Sequence, residues 1–281
     1  MSANRPQPTI AGGRGWLTAV QPIPVLLYHS ISDRPSAAIA PFAVTPATFG
    51  RHLDLIKADH HTLTISTLMA MRSRGEQLPS APVVITFDDG FVDNLKVAAP
   101  MLAARGQTAT VYLTTSYLAA PAATRRTVGD MLRWEQLRDL EEFGLEIGAH
   151  AHTHRQLDVL PLAVAALEIR RSKELLEDRL GRRVASFAYP HGYSSPAVRA
   201  EVAASGFDSG CAVRNALSHT RDDRWRIARL TVRADTPVER VAAWLRGQSA
   251  PLAEPGETLQ TGVWRTIRRM RQAAVSTRQA G

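Results

Sequence analysis

Short apolar or β-branched runs alternate with amphipathic segments from Pro24 onward. Eight of these runs predict β-strands, because they are brief, rich in Val, Ile, Leu and aromatic residues, and bounded by polar or turn residues. The predicted strands are Val25–Tyr28, Thr62–Thr64, Val83–Phe87, Thr108–Leu113, Leu145–Gly148, Val184–Ala188, Asp208–Val213 and Ile227–Val232. Strands that alternate with helices are typical of an α/β fold with a parallel sheet, either open or closed into a barrel.

Capping residues mark the ends of the intervening helices. Thr45-Pro46 predicts an N-cap followed by a proline in the first turn. Thr236-Pro237-Val238-Glu239 is typical of a capping box that opens a last helix. Helices expected over 96–105, 134–143 and 162–180 are each followed by a glycine that predicts their end: Gly106, Gly144 and Gly181. No linker splits this region, so we expect one domain over 25–247, with an N-terminal flank at 1–24 and a tail at 248–281.

The composition is that of a globular protein. The chain has 281 residues, of which 44% are apolar and 21% charged, and its net charge is +8. It contains no apolar run of the ~18 residues that a membrane-spanning helix needs. The apolar residues around Trp16–Val20 are too few for a signal peptide, which predicts a cytoplasmic location. The single cysteine, Cys211, excludes an intramolecular disulfide and a cysteine-based zinc module.

Most of the positive charge lies at the two ends of the chain. Residues 258–281 hold five arginines and no acid, and residues 1–24 hold two arginines and no acid, which leaves 25–257 almost neutral. Apolar residues recur at helical spacing among these C-terminal arginines: Val263, Ile267, Met270 and Ala274. They predict a short basic amphipathic helix, either docked on the domain or lying on an acidic membrane surface. No basic and aromatic pattern suited to nucleic acid is present, so we expect no nucleic-acid partner.

Two adjacent carboxylates follow the most apolar predicted strand. Val83–Phe87 leads directly into Asp88, Asp89 and Gly90. The C-terminal ends of parallel strands are where ligands bind in barrels and open sheets. Two neighbouring negative charges are costly unless a cation or a shared proton offsets them. Taken alone, the pair fits equally well the start of a helix, where Asp is a common cap.

Three histidines follow another predicted strand, at positions 150, 152 and 154. His150 and His154 are spaced so that both face one point if the segment turns helically, as paired metal ligands do. His152 then points elsewhere. Together with one acid they form a three-ligand metal site with a position left open for water, which is typical of a catalytic metal. Asp88 and Asp89 both remain candidates for the acidic ligand, and the other would act as a base.

Two further strand ends carry candidate site residues. His29 follows the first predicted strand, and in a barrel it reaches the same rim as Asp88 and His150, which makes it a candidate acid. A turn, Tyr189-Pro190-His191-Gly192, follows the strand Val184–Ala188. Tyr189, Pro190 and His191 are therefore candidates for a wall of the substrate groove, where a backbone N–H would stabilise an oxyanion.

These residues together resemble the polysaccharide deacetylase family, which is the NodB-homology domain of carbohydrate esterase family 4. Thr86-Phe87-Asp88-Asp89-Gly90 matches the family motif Thr-Phe-Asp-Asp-Gly. His150 and His154 match the motif His-(Ser/Thr)-x-x-His, with Ala151 in the small-residue position. The resemblance runs from about Val25 to about Leu245. It implies a distorted (β/α) barrel and a metal-dependent removal of acetyl groups from sugars, usually N-acetylglucosamine.

The resemblance also implies roles for individual residues. Asp88 resembles the general base, whereas Asp89, His150 and His154 resemble the ligands of a divalent ion. Zinc is the first expectation, with cobalt, nickel, manganese or iron as alternatives. In this scheme the metal polarises the acetyl carbonyl and acidifies a water molecule, from which Asp88 takes a proton.

Two positions depart from the common family pattern. Many members have an arginine that pairs with the base, where this chain has Ala188. We hypothesise that Arg229 is the partner of Asp88 instead. The late Leu-x-His motif, which carries the general acid in many members, does not follow Trp225. In a subgroup that includes poly-N-acetylglucosamine deacetylases the acid is a histidine on the first strand, which implies His29 for this chain.

Other functions remain open at this stage. An acetyl-xylan esterase would use the same metal centre on an ester, and a small-metabolite amide hydrolase is a further alternative. A non-catalytic carbohydrate-binding domain is disfavoured, because a binding module does not need a base beside its metal. The expected partner in every case but the small-metabolite hydrolase is a carbohydrate.

Overall fold

The computed structural model describes residues 20–119, 129–256 and 267–268. Its strands are β1 (Pro22–Ile23), β2 (Val25–Tyr28), β3 (Ser30–Ile31), β4 (Ala43–Val44), β5 (His61–Leu63), β6 (Pro82–Phe87), β7 (Thr110–Leu113), β8 (Glu146–Ala149), β9 (Ser186–Ala188), β10 (Ser209–Cys211), β11 (Ser218–His219) and β12 (Leu230–Thr231). Its α-helices are α1 (Pro46–Asp59), α2 (Ile65–Arg74), α3 (Ala99–Ala103), α4 (Thr115–Leu118), α5 (Leu137–Glu142), α6 (Leu162–Leu180), α7 (Pro196–Ala204) and α8 (Val238–Leu245). Short 3₁₀ segments occur at Ala40–Phe42, Trp134–Gln136, Leu157–Val159 and Pro190–Gly192, and a π-helical segment at Asn94–Ala98 precedes α3.

The main sheet is parallel and curled. Its strands follow the order β10-β9-β8-β7-β6-β2-β12, and β5 pairs with the first half of β6. Backbone hydrogen bonds between the residues after β10 and the segment before β12 join the two edges of this sheet. The N–H of Ala212 donates to the carbonyl of Ile227 over 2.9 Å, and the N–H of Asn215 donates to that of Arg229 over 3.0 Å. The sheet thus forms the irregular (β/α) barrel that the sequence predicts, and all eight predicted strands are present.

Alternate strand residues pack on the two faces of this sheet. Ile85 and Phe87 of β6 join the large apolar cluster that includes residues of α1 and α6. Val84, the residue before Ile85, joins a smaller cluster with Tyr112 and Cys211. Successive side chains of a strand point to opposite faces, so a strand buried on both faces is apolar throughout. This is why β6 is apolar apart from Thr86, whose buried hydroxyl donates to the carbonyl of Leu26.

Most predicted helix boundaries are confirmed. The side chain of Thr45 accepts a hydrogen bond from the N–H of Thr48 and caps α1, and α6 ends at Gly181, whose φ is 67°. The predicted capping box before α8 is wrong. Pro237 is the N-cap of that helix and makes no side-chain cap, because the hydroxyl of Thr236 accepts the N–H of Arg233 instead, over 2.9 Å.

The chain termini lie mostly outside the described residues. Of the predicted amphipathic helix only 267–268 are described, so Val263, Met270 and Ala274 lie outside them. The domain limits at 25 and 247 stay a prediction. Among the described residues, no helix is both long and apolar enough to cross a membrane.

Candidate active site

The candidate site residues gather at the carboxyl edge of the barrel. Asp88 and Asp89 follow β6, His150 follows β8, and His29 follows β2. They line a cleft of about 830 Å³. Its other walls come from loops, from the 3₁₀ segment Ala40–Phe42 and from α8, and include Phe42, Gln156, Tyr193, Asn215, Arg233 and Trp244. Parallel strands all present the same end to this edge, which is why residues far apart in the sequence meet here.

Asp89, His150 and His154 form a group suited to a metal ion. Their ligand atoms all lie within 4.8 Å of one another. Oδ1 of Asp89 is 3.1 Å from Nε2 of His154 and 3.5 Å from Nε2 of His150. That oxygen is buried and has no hydrogen bond of good geometry from the described residues. A buried carboxylate oxygen facing two imidazole nitrogens fits a divalent cation, which accepts a lone pair from each of these three atoms.

The orientation of His150 supports this arrangement. Its Nδ1 lies 2.8 Å from the carbonyl oxygen of Ala188, at the end of β9. A carbonyl only accepts hydrogen bonds, so Nδ1 carries the proton and Nε2 is left with a lone pair that faces Asp89 and His154. Histidine ligands of metals are commonly fixed in this way by a hydrogen bond at the other nitrogen.

Burial and neighbouring charges perturb the titration of this group. Burial, opposed in part by the charge of Asp88, lowers the pKa of His150 to about 4, so that its imidazole is neutral. Burial also lowers the pKa of His154, but the adjacent Asp89 carboxylate outweighs it and raises the net pKa above its ordinary value. Burial alone raises the pKa of Asp89, yet His154 and then His29 hold it below its usual range. A neutral imidazole and an ionised carboxylate are the forms that bind metals.

The backbone around these residues is locally strained. Asp89, Ala151, His154 and His191 all have φ between 58° and 75°, in the left-handed region that side chains rarely adopt. The helical turn expected for 150–154 is absent, and the two histidines converge through left-handed residues instead. Strain of ~1–3 kcal/mol per residue persists where the surroundings enforce it, and such residues concentrate at functional sites.

Glu168 holds the segment between the two histidines, a role that no pattern in the sequence predicts. Its carboxylate accepts hydrogen bonds from the N–H of His152 over 3.1 Å and from the N–H of Thr153 over 2.7 Å. It also accepts the hydroxyl of Thr153 over 2.6 Å. His152 itself points away from the ligand group, toward the hydroxyl of Thr115, as expected.

Asp88 is paired with Arg229 rather than with the ligand group. Nη1 and Nη2 of Arg229 lie 2.7 Å from Oδ1 and Oδ2 of Asp88, and both side chains are buried. Burial alone raises the pKa of Asp88, but the charge of Arg229 and then that of His150 outweigh burial and keep it below its ordinary value. Both oxygens of Asp88 are engaged by Arg229, whereas Oδ1 of Asp89 is not, so the geometry favours Asp89 as the acidic ligand.

His29 lies on the same side of the cleft as these acids. It lines the cleft together with Asp88 and Asp89. Its ring packs against Phe42 with 5.2 Å between ring centroids. Its Nδ1 is buried and has no hydrogen-bond partner among the described residues. Nδ2 of Asn94 donates to its carbonyl over 2.7 Å and holds its backbone.

The turn after β9 contributes only part of the predicted wall. The ring of Tyr189 is buried away from the cleft, and its hydroxyl donates to the carbonyl of Trp225 over 2.9 Å. Its N–H already donates to Cys211, and Pro190 has no N–H. Of the three predicted residues, His191 lines the cleft, and its ring lies 4.6 Å from that of His154. The N–H of His191 is thus the candidate oxyanion donor in this turn.

Comparison with known proteins agrees with this geometry. Residues 75–210 match the family model described as polysaccharide deacetylase. This region of the chain is similar to the polysaccharide deacetylase family. The matched residues include both carboxylates and both candidate metal-binding histidines. His29 and Arg229 lie outside the match, so their presence in the site is shown by the structure alone.

Individual relatives are distant in sequence. The chain is 27% identical over 182 residues to YxkH of Bacillus subtilis (strain 168), a polysaccharide deacetylase by name, and the match covers 63% of this chain and 60% of that protein. The deacetylase PplD of Streptococcus pyogenes, solved with acetate, superposes with a TM-score of 0.71 at 22% identity, over 79% of this chain and 97% of that one. A de-N-acetylase of Aggregatibacter actinomycetemcomitans superposes with a TM-score of 0.66 at 19% identity, over 77% of this chain and 97% of that one. These two structures share the fold of this chain.

Proposed function

We propose that this protein hydrolyses the acetyl group of an N-acetylated sugar or polysaccharide. The observation that carries the proposal is the Asp89, His150 and His154 group beside the buried Asp88–Arg229 pair in one open cleft. The match of residues 75–210 to the polysaccharide deacetylase family model supports it. So do the similar structures, since one is a deacetylase solved with acetate, a product of deacetylation, and another is a de-N-acetylase.

The residues present fit a divalent metal ion. Asp89, His150 and His154 would hold it, and when bound it supplies Lewis-acid polarisation of an acyl oxygen and acidifies a water molecule. Zinc suits this one-carboxylate, two-imidazole set, but cobalt, nickel, manganese and iron bind similar donors.

Asp88 acts as the general base in this proposal. Arg229 keeps it ionised at neutral pH and fixes the plane of its carboxylate, so that an oxygen is available to accept the proton of the attacking water. The N–H of His191 stabilises the negative charge that develops on the acetyl oxygen. His29, which lines the same cleft, donates a proton to the departing amine.

The test is release of acetate from a panel of acetylated compounds, with and without a metal chelator. We expect release from N-acetylglucosamine oligomers, its loss with chelator and its return with added zinc. Faster release from acetylated xylan would show an ester substrate, and release from small acetylated metabolites alone would show a metabolite hydrolase. Carbohydrate binding with no acetate release from any compound would contradict the proposal. The subgroup of poly-N-acetylglucosamine deacetylases, a cytoplasmic location and contact of 258–281 with an acidic membrane stay predictions.

A further inference from the structure

Arg268, in the basic C-terminal segment, contacts the wall of the cleft. Its Nη2 donates to Oδ2 of Asp158 over 2.5 Å. Asp158 lies in the 3₁₀ segment that shortly follows His154 and is 1% exposed. A carboxylate buried to this degree is costly unless cations and hydrogen bonds compensate it. The ion pair with Asp158 therefore holds the Arg268 guanidinium at a defined position on the domain.

The same guanidinium also covers an aromatic side chain of the cleft. Its central carbon lies 3.8 Å from the centroid of the Tyr193 ring, within the range of a cation–π interaction. Tyr193 lines the cleft and is 39% exposed. A half-exposed tyrosine has several rotamers available, and a cation held in place over one face by Asp158 favours one of them.

Tyr193 in turn continues a row of rings that reaches the candidate metal ligands. Its ring is stacked on that of His191 with 6.5 Å between centroids and an angle of 21°, and His191 lies 4.6 Å from His154. The backbone here is already constrained. Gly192 has φ 75°, and a Cβ on it would come within 2.4 Å of the backbone nitrogen of Val213. Only the ring orientations are left for Arg268 to control.

We infer that Arg268 is a positioning residue, which orients Tyr193 and, through it, His191 as one wall of the substrate cleft. The C-terminal segment thereby takes part in shaping the site, although it lies outside the family match. The substrate that this wall would contact rests on the proposed function, whereas the placement of the Tyr193 ring does not. Arg268 touches no reacting atom in this scheme, so its loss weakens substrate binding more than turnover.

The experiment compares Arg268→Ala and Arg268→Lys with Arg278→Ala, which removes the same charge from the same segment. With an N-acetylglucosamine oligomer as substrate, we expect Arg268→Ala to raise KM about three- to tenfold and to change kcat less than about twofold, in line with the loss of one cation–π contact and one ion pair. Lysine can pair with Asp158 but lacks the planar guanidinium, so the KM of Arg268→Lys should lie between those of the wild type and Arg268→Ala. Arg278→Ala should match the wild type.

A second readout needs no activity. Tetranitromethane nitrates exposed tyrosine rings, and mass spectrometry gives the rate at Tyr193 with Tyr117 as an internal reference. We expect faster nitration of Tyr193 in Arg268→Ala and wild-type rates in Arg278→Ala. If no acetylated compound is turned over, the proposed function fails, but nitration still tests the contact. Wild-type nitration together with wild-type KM in Arg268→Ala would overturn the inference, and so would equal effects of the two alanine variants.

Discussion

Arg229 donates a hydrogen bond to each carboxylate oxygen of Asp88, both over 2.7 Å, although the two residues lie 141 positions apart. Arg229 also donates from Nε to the carbonyl of Ala212 over 3.2 Å, and its guanidinium lies over the ring of Tyr112. This planar, two-pronged contact is one that lysine cannot reproduce. It holds an ionised carboxylate in a fixed plane beside the candidate metal ligands.

Loss of Arg229 should therefore affect both activity and stability. Arg229→Met leaves Asp88 buried without its counter-charge, which costs about 3–5 kcal/mol in comparable buried pairs. We expect a lower free energy of unfolding in urea and a fall in kcat of about 10²-fold or more. The double variant Arg229→Met/Asp88→Asn should recover part of the stability but none of the activity. Unchanged turnover in Arg229→Met would show that the pair plays no part in catalysis.

His29 should matter most when the leaving group needs a proton. We expect His29→Asn to lower kcat on an N-acetylated sugar by about 10²–10⁴-fold. On 4-nitrophenyl acetate, whose leaving group departs as an anion, the same variant should lose far less activity. The measurement is the ratio of the two rates at equal zinc occupancy. A loss of the same size on both substrates would assign His29 a role other than that of the acid.

Glu168 should control metal affinity without contacting the metal. Its carboxylate fixes the backbone at His152 and Thr153, between the two histidine ligands. We expect Glu168→Ala to weaken zinc binding by about 10–100-fold, as loss of residues that orient ligands commonly does. Glu168→Gln keeps one acceptor oxygen and should lose less zinc affinity than Glu168→Ala. Zinc titration against a competing chelator measures this, and wild-type affinity in Glu168→Ala would contradict it.

The sequence predicted the positions of the site residues better than their geometry. Strand β6 was recognisable because it is buried on both faces and therefore almost entirely apolar, and Asp88 follows it directly. The convergence of His150 and His154 depends on left-handed residues at Ala151 and His154. Neither is glycine, so no residue-level preference predicts such a backbone. It is enforced by tertiary contacts that include Glu168.

Other features were not predictable for the same reason. The turn Tyr189–His191 could be placed at the rim, but the burial of Tyr189 depends on the carbonyl of Trp225, which only the folded chain brings near. The prediction of a capping box at 236–239 was wrong because the hydroxyl of Thr236 accepts a hydrogen bond from the N–H of Arg233 instead. By contrast, the pairing of Arg229 with Asp88 could be hypothesised from a missing arginine in a family motif.

Stability at acidic pH should depend on His52 of α1, which is buried and bonded to the hydroxyl of Tyr28 over 3.0 Å. Burial, and then the charge of Arg51, lower the pKa of His52 to about 4. The unfolded chain takes up this proton near pH 6.5, before the folded protein does. The free energy of unfolding should therefore fall as the pH drops from about 6.5 to 4, by up to about 1.4 kcal/mol per pH unit from this group.

The variant His52→Gln isolates this contribution. Other buried histidines also favour the unfolded state in acid, so the comparison is between the slopes of unfolding free energy against pH in the two proteins. We expect a shallower slope in His52→Gln between pH 6.5 and 4. Identical slopes would show that His52 does not titrate differently in the folded and unfolded states.

The two adjacent carboxylates have different roles in the proposed mechanism, with Asp88 as the base and Asp89 as a metal ligand. Zinc content measured on the same preparations as acetate release tests this assignment directly. Asp88→Asn should bind one zinc ion with wild-type affinity and lose about 10²-fold or more of its turnover. Asp89→Asn and His150→Ala should lose both zinc and turnover. Zinc lost from Asp88→Asn but retained by Asp89→Asn would contradict the account, as would full zinc occupancy in His150→Ala.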